Sequence, residues 1–146
     1  AELHPIVVEW CRGPLAGLTG AAVDDPRVTV HLGDVAEVIA GEGPFHAIVL
    51  DLFFGPRHPR PDDPHFGRAA LARVRDALAP DGVFAVWSEQ VDPSFEKGLA
   101  AAGFRVEKAR PGRGGLRHVV YFAFRACDTP ADPPRGRARR RRSSAR

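Results

Sequence analysis

The chain has 146 residues, of which 44% are hydrophobic and 27% are charged, and its formal net charge is +3. This length fits one domain that can bury a core. No apolar run approaches the roughly 20 residues of a membrane span, and no signal-peptide pattern is present. Met is absent, which leads us to expect a processed protein or a fragment. Cys11 and Cys127 match neither a metal nor a redox spacing, which predicts free thiols in a cytoplasmic protein.

The positive charge is concentrated at the carboxyl end. Residues 127–146 contain seven Arg and two Asp, so residues 1–126 carry a net charge of −2. Four consecutive Arg at 139–142 are of the kind that binds nucleic acid through counterion release, but no aromatic residue is interleaved with them. We therefore expect one folded domain over residues 1–126, followed by a disordered Arg-rich tail, and we do not expect nucleic-acid or membrane binding.

Apolar periodicity and turn residues predict that helices and strands alternate along the chain. The predicted helices cover residues 4–18, 34–40, 66–78 and 92–102. The predicted strands cover residues 27–32, 47–50, 83–87, 104–109 and 118–126. This alternation indicates an α/β fold with a Rossmann-like, doubly wound and mostly parallel sheet.

Local signals add detail to this fold. Gly13-Pro14 should kink or shorten the first helix, and residues 79–82 should form a turn. The apolar run 47–50 is typical of a strand buried on both faces. Only a glycine-rich connection at residues 111–115 separates the last two strands, which predicts a C-terminal antiparallel hairpin.

Three acidic residues, Glu2, Asp34 and Asp51, come where strands are expected to end. In a parallel sheet such ends lie along one edge, where open α/β sheets bind their ligands. A carboxylate there can accept hydrogen bonds from ribose hydroxyls or from an adenine amino group. Each acid alone is equally explained as a helix or turn cap. Three of them at successive strand ends favour a nucleoside site.

These acids lie in stretches that resemble the spermidine synthase (polyamine aminopropyltransferase) family. The stretches are residues 1–10, 25–35, 47–56, 81–89 and 117–123. The resemblance covers about residues 1–126 and is strongest to short bacterial spermidine synthase-like proteins. It implies the class I fold of methyltransferases that use S-adenosylmethionine.

The resemblance implies a role for five positions. Glu2 would bind the ribose of an adenosyl ligand, and Asp34, after Gly33, would accept the adenine amino group with the Val35 backbone nearby. Asp51 would be the catalytic acid that accepts a proton from the attacking amine. The ligand would be S-adenosylmethionine or its decarboxylated form, without a metal. The implied reaction transfers an aminopropyl or methyl group to a small acceptor, as in polyamine biosynthesis, and a homodimer is compatible with it.

Two departures from the family pattern leave an alternative open. The glycine-rich turn of the first strand is absent, so we expect an N-terminally truncated form of the fold. The family continues past Asp51 with a second acid or amide, whereas this chain has Leu52, Phe53 and Phe54. A polyamine would lose a charged partner there. The alternative is therefore a non-catalytic or truncated member that acts as a binding or dimerisation module.

Other residues carry weaker signals. His46, His58 and His65 lack metal-ligand spacing, and Asp62-Asp63 is typical of a solvated loop. Ser88 and Glu89 follow another strand, where they either line the pocket or cap a helix. Phe53-Phe54 and the Arg-rich tail together leave a nucleic-acid methyltransferase as a third hypothesis.

Overall fold

The structure is a computed structural model and describes residues 1–52, 55–111 and 118–125. The α-helices are α1 (Pro5–Arg12), α2 (Ala16–Thr19), α3 (Val35–Gly41), α4 (Arg68–Ala77) and α5 (Pro93–Ala101). The strands are β1 (Phe45–Leu50), β2 (Leu78–Ser88), β3 (Phe104–Ala109) and β4 (Val119–Arg125). A 3₁₀ turn covers Ala22–Asp24. The predicted tail over residues 127–146 lies outside the described ranges.

The four strands form one open sheet in the order β1-β2-β4-β3. β1 and β2 are parallel, and β4 is antiparallel to both β2 and β3. The predicted α/β class with a C-terminal antiparallel hairpin is confirmed, and where a mostly parallel sheet was predicted the described strands form a mixed sheet with one parallel and two antiparallel pairs. The strand predicted over residues 27–32 is wrong, because that stretch pairs only through an isolated parallel bridge between Leu32 and Glu2. Without a longer neighbour to pair with, Val28 and Leu32 stay 46% and 58% exposed.

The core lies on one face of the sheet. Side chains from α4 and α5 pack there against alternate residues of the strands. Phe95 of α5 meets Phe66 and Tyr121 edge to face, with ring centroids 5.4 and 5.2 Å apart. Burial of such aromatic and aliphatic side chains is the main favourable term in folding.

The other face of the sheet is less covered, and this corrects one prediction. β1 is an edge strand in which Ile48 and Leu50 are buried, whereas Val49 is 70% exposed. The run 47–50 is therefore not buried on both faces. Its apolar composition was consistent with full burial, but periodicity cannot tell whether a second layer covers a strand.

The boundaries of two elements differ from prediction in informative ways. The helix predicted over residues 4–18 is divided into α1 and α2 at Gly13-Pro14, as expected from proline chemistry. The turn predicted over residues 79–82 lies inside β2, where the pairing with β1 is irregular. There Asp81 has a φ of 63°. None of the helices in the described part of the chain is long and apolar enough to cross a bilayer.

A buried carboxylate, Asp92, joins the loop before α4 to α5 and the sheet. Its side chain caps α5 by accepting hydrogen bonds from the N–H groups of Ser94 (2.8 Å) and Phe95 (3.0 Å), and it also accepts the N–H of His58. Its own N–H donates to the Tyr121 hydroxyl at 2.7 Å. Burial raises the pKa of the Asp92 carboxyl, but the hydrogen bonds that it accepts from the Ser94 hydroxyl and from the N–H groups of His58, Phe95 and Ser94 outweigh burial, so the pKa lies below its usual value.

Replacement of this carboxylate should destabilise the fold. We expect Asp92→Ala to lower the free energy of unfolding by about 2 kcal/mol, because a helix cap and buried hydrogen bonds are lost together. Urea denaturation followed by circular dichroism measures this change. As a control, Asp76→Ala removes an exposed carboxylate of α4 and should change stability by less than about 0.5 kcal/mol.

The same variant gives a pH test. Because the pKa of Asp92 is lower in the folded chain than in the unfolded chain, its stabilising effect is complete above the unfolded Asp pKa of ~3.9. That effect is lost as the pH falls from there towards the folded value. The stability difference between the unaltered chain and Asp92→Ala should therefore shrink on acidification below about pH 4. A difference that stays constant would contradict an ionised cap.

Candidate functional site

A cavity of about 450 Å³ lies at the carboxyl end of β1. All five residues predicted from the sequence line it. They are Glu2, Gly33, Asp34, Val35 and Asp51. Leu52 and His65 also line this cavity. The structure thus brings the three carboxylates to one hollow, at the edge of the sheet where ligands of open α/β folds bind.

Glu2 is held by the parallel bridge to the segment before α3. The Glu2 N–H donates to the His31 carbonyl at 2.9 Å, and the Gly33 N–H donates to the Glu2 carbonyl at 3.0 Å. One carboxylate oxygen, Oε1, accepts the His4 N–H at 2.8 Å. The other, Oε2, accepts no hydrogen bond from the described residues, so it remains available to a ligand in the cavity.

Asp34 is the N-cap of α3, as its position before a short apolar helix predicts. Its Oδ1 atom accepts the Ala36 N–H at 2.8 Å and lies 3.2 Å from Nε2 of His65. The hydrogen bonds from Ala36 and then from His65 hold the pKa of Asp34 below its usual value. Asp34 is therefore an ionised acceptor near neutral pH, with Oδ2 not engaged by the described residues.

Asp51 differs from the other two acids because it has no structural partner. It directly follows β1, is exposed, and makes no hydrogen bond or ion pair with any described residue. Leu52 beside it packs against the core and also lines the cavity. The predicted departures Phe53 and Phe54 lie outside the described residues. Among the described residues the site therefore has one carboxylate without a partner, next to the apolar side chain of Leu52.

His65 is a cavity residue that reasoning from the sequence missed. His65 is not spaced from other histidines as metal ligands are, and no other local pattern marks it. The usable signal was topological, because the loop after a strand borders the same crevice as the end of that strand. His65 sits in the loop that follows Asp51 and precedes α4.

The remaining candidates lie elsewhere. The Ser88 hydroxyl is buried and donates to the Gln90 carbonyl at 2.9 Å, and Glu89 pairs with Arg57. His118 stacks on Trp87 with ring centroids 4.8 Å apart. Within residues 1–52, 55–111 and 118–125, no three His, Cys, Asp or Glu side chains are grouped to hold a metal ion.

A second hollow of similar size, about 460 Å³, lies between the loop before α4 and helices α4 and α5. It contains none of the predicted site residues. Its charged lining residues are Arg60, Arg68 and Lys97, so it offers no carboxylate to accept a hydrogen bond from a ribose hydroxyl or an adenine amino group.

Comparison with known proteins assigns the family. The sequence model of the spermine/spermidine synthase domain matches residues 2–99. The chain belongs to the spermine/spermidine synthase domain family. The matched stretch includes all five predicted site residues, and the resemblance found in the sequence is confirmed. The polyamine aminopropyltransferase of Synechococcus sp. (strain JA-2-3B'a(2-13)) is 28% identical over 87 residues, which are 60% of this chain and 28% of that protein.

Solved structures show the fold that the family member adopts. The crystal structure of human methyltransferase-like protein 13 in complex with SAH is 21% identical with a TM-score of 0.63, over 91% of this chain and 63% of that one. Spermidine synthase from Thermotoga maritima is 23% identical with a TM-score of 0.62, over 87% of this chain and 45% of that one. The chain therefore has the methyltransferase-type fold and spans only part of the length of these relatives.

The contact between Asp34 and His65 can be measured directly. In His65→Ala the pKa of the Asp34 carboxyl should rise towards its usual value, because one of its two hydrogen-bond donors is removed. The Ala36 N–H remains, so the shift should be partial. Carbon-13 NMR titration of the Asp34 carboxyl measures it. His46→Ala, which removes an exposed histidine of β1, is the matched control, and an Asp34 titration identical in both variants would disprove the contact.

Proposed function

We propose that the chain binds S-adenosylmethionine or decarboxylated S-adenosylmethionine in the cavity of Glu2, Asp34 and Asp51, and transfers a methyl or aminopropyl group to a small acceptor. The observation that supports this most is the convergence of the three carboxylates on one hollow within the family-matched stretch. The human relative of the same fold is described in complex with SAH, which is consistent with an adenosyl ligand here.

Two of the acids would bind the nucleoside. Oε2 of Glu2 would accept hydrogen bonds from the ribose hydroxyls, and Oδ2 of Asp34 would accept one from the adenine amino group. Hydrogen bonds to an ionised acceptor are stronger than those between neutral groups. Gly33 and Val35 flank Asp34 and would face the base with backbone atoms. These roles leave the sulfonium end of the ligand to lie towards Asp51.

Asp51 would accept the proton during transfer. A neutral nucleophile on the acceptor, such as an amine, attacks the carbon next to the sulfonium. The new bond to carbon forms as the carbon–sulfur bond breaks, the electron pair neutralises the sulfur, and the nucleophile's proton passes to the carboxylate. A positioned base of this kind typically contributes ~10²–10⁴-fold in rate. Because Asp51 has no other partner among the described residues, it is free to serve.

The apolar side chain next to Asp51 influences which class of acceptor the site would take. Leu52 contributes an apolar surface to the cavity, so a polycation would gain one carboxylate contact and lose hydration against a hydrocarbon side chain. This favours an acceptor with a single amine or another neutral nucleophile over a polyamine. A transfer assay with monoamines and polyamines distinguishes these two classes of acceptor.

A second candidate function is a non-catalytic binding or dimerisation module. It is favoured by exposed apolar side chains just before and on α1 and on β1, because exposed apolar surface can mark an interaction site. Leu3, Ile6 and Trp10 are 62%, 46% and 48% exposed, and Val49 is 70% exposed. In this case the chain would self-associate, and any ligand would be bound without turnover.

Calorimetry with S-adenosylmethionine, its decarboxylated form and S-adenosylhomocysteine tests ligand binding. We expect the unaltered chain to bind, and Asp34→Asn to bind at least about 10-fold more weakly, because a charge-assisted hydrogen bond is lost. Asp62→Asn, in an exposed part of the loop, is the matched control and should bind like the unaltered chain. Absence of heat with all three compounds would refute the proposal.

A transfer assay then tests the role of Asp51. With a panel of monoamines and polyamines, Asp51→Asn should lower kcat by about 100-fold or more while leaving the dissociation constant for the adenosyl ligand nearly unchanged. Binding without transfer in the unaltered chain, together with a dimer in analytical ultracentrifugation, would instead favour the second candidate. An Asp51→Asn variant as active as the unaltered chain would remove Asp51 from the mechanism.

A further inference from the structure

We propose that His65 is a positioning residue that fixes the Asp34 carboxylate and so makes the site selective for a purine with a 6-amino group over one with a 6-oxo group. The inference rests on the proposed binding of an adenosyl ligand. It adds a residue that the sequence did not indicate, and it assigns the selectivity for the base to a pair of side chains instead of to one acid.

His65 and Asp34 are in hydrogen-bond contact at the cavity. Nε2 of His65 lies 3.2 Å from Oδ1 of Asp34, and both residues line the same cavity. An ionised carboxylate can only accept, so Nε2 is the nitrogen that carries the hydrogen. Oδ1 also accepts the Ala36 N–H at 2.8 Å. Two donors on one oxygen fix the plane of the carboxylate and leave Oδ2 as its remaining acceptor.

The loop holds His65 itself in place. The Asp63 carboxylate accepts the N–H groups of His65 (3.0 Å) and Phe66 (2.8 Å). Gly67 follows, where a Cβ atom would lie 2.6 Å from the carbonyl oxygens of Pro61 and Asp63. The backbone of the loop is therefore packed closely around Gly67. The imidazole of His65 is only 27% exposed, so the surrounding chain restricts the orientations that this donor can take.

The selectivity follows from what Oδ2 can accept. A 6-amino group donates a hydrogen bond to it, whereas a 6-oxo group would place a second acceptor against a carboxylate that cannot turn away. Sites built around a fixed polar partner reject analogues that cannot satisfy it. Without His65, only the Ala36 N–H holds Asp34. The carboxylate can then rotate towards solvent. The 6-amino group thereby loses its hydrogen-bond acceptor, and the 6-oxo group is no longer repelled by Oδ2.

The test compares S-adenosylhomocysteine with S-inosylhomocysteine, whose base has an oxo group in place of the 6-amino group and a hydrogen on N1. By calorimetry the unaltered chain should prefer the adenosyl compound by roughly 30-fold, and His65→Ala should reduce this preference to less than about 5-fold. His65→Gln, which keeps an N–H donor on a side chain of similar reach, should retain most of the preference. His46→Ala is the control on β1 and should leave the preference unchanged.

The outcomes separate this inference from the function on which it rests. If the unaltered chain binds neither ligand, both fail. If it binds the adenosyl compound and His65→Ala keeps the same preference, the role of His65 is refuted and the proposed function stands. If His65→Ala weakens both ligands equally, His65 touches the ligand directly and the positioning role is refuted. Should His65→Ala unfold, as judged by circular dichroism, His65→Gln and His65→Asn provide the comparison of donor positions.

Discussion

The site depends on the two contacts that the Asp34 carboxylate makes. A single oxygen, Oδ1, caps α3 through the Ala36 N–H and also receives Nε2 of His65. It therefore joins the helix on one side of the cavity to the loop on the other. An N-cap carboxylate is a local feature of a helix, worth about 1 kcal/mol in general. Here the same group also contacts a second residue that lines the cavity, His65, and has one oxygen, Oδ2, that no described residue engages.

The loop between β1 and α4 is held at two points, each time by a hydrogen bond to the N-cap carboxylate of a helix. Asp92, the N-cap of α5, accepts the His58 N–H near the start of the loop. Asp34, the N-cap of α3, receives His65 near its end. Both carboxylates have a pKa below the usual value because they accept several hydrogen bonds. The loop that follows Asp51 is thus tied to two helix termini, and His65 near the end of this loop lines the cavity.

Local chemistry was sufficient to predict the caps and the antiparallel hairpin, because Asp34 and Asp92 precede helical patterns and only a short glycine-rich connection separates the last two strands. It could not predict that Val49 would be exposed, since an apolar run carries no record of which layers cover it. The predicted strand over residues 27–32 failed because pairing needs a neighbour, and only Glu2 provides one. His65 was missed for a related reason: its partner lies 31 positions away, and no spacing rule joins them.

The three acids of the cavity are not equivalent, and the difference argues for a division between orientation and chemistry. Glu2 and Asp34 each use one oxygen to hold their own turn or helix, so the second oxygen is fixed in direction and suited to recognising a ligand. Asp51 has no such role among the described residues, and its removal would leave the described hydrogen bonds intact. Within the proposed function, Asp51 would therefore serve the chemistry and the other two acids the orientation of the ligand, since Asp51 lines the same cavity beside Leu52.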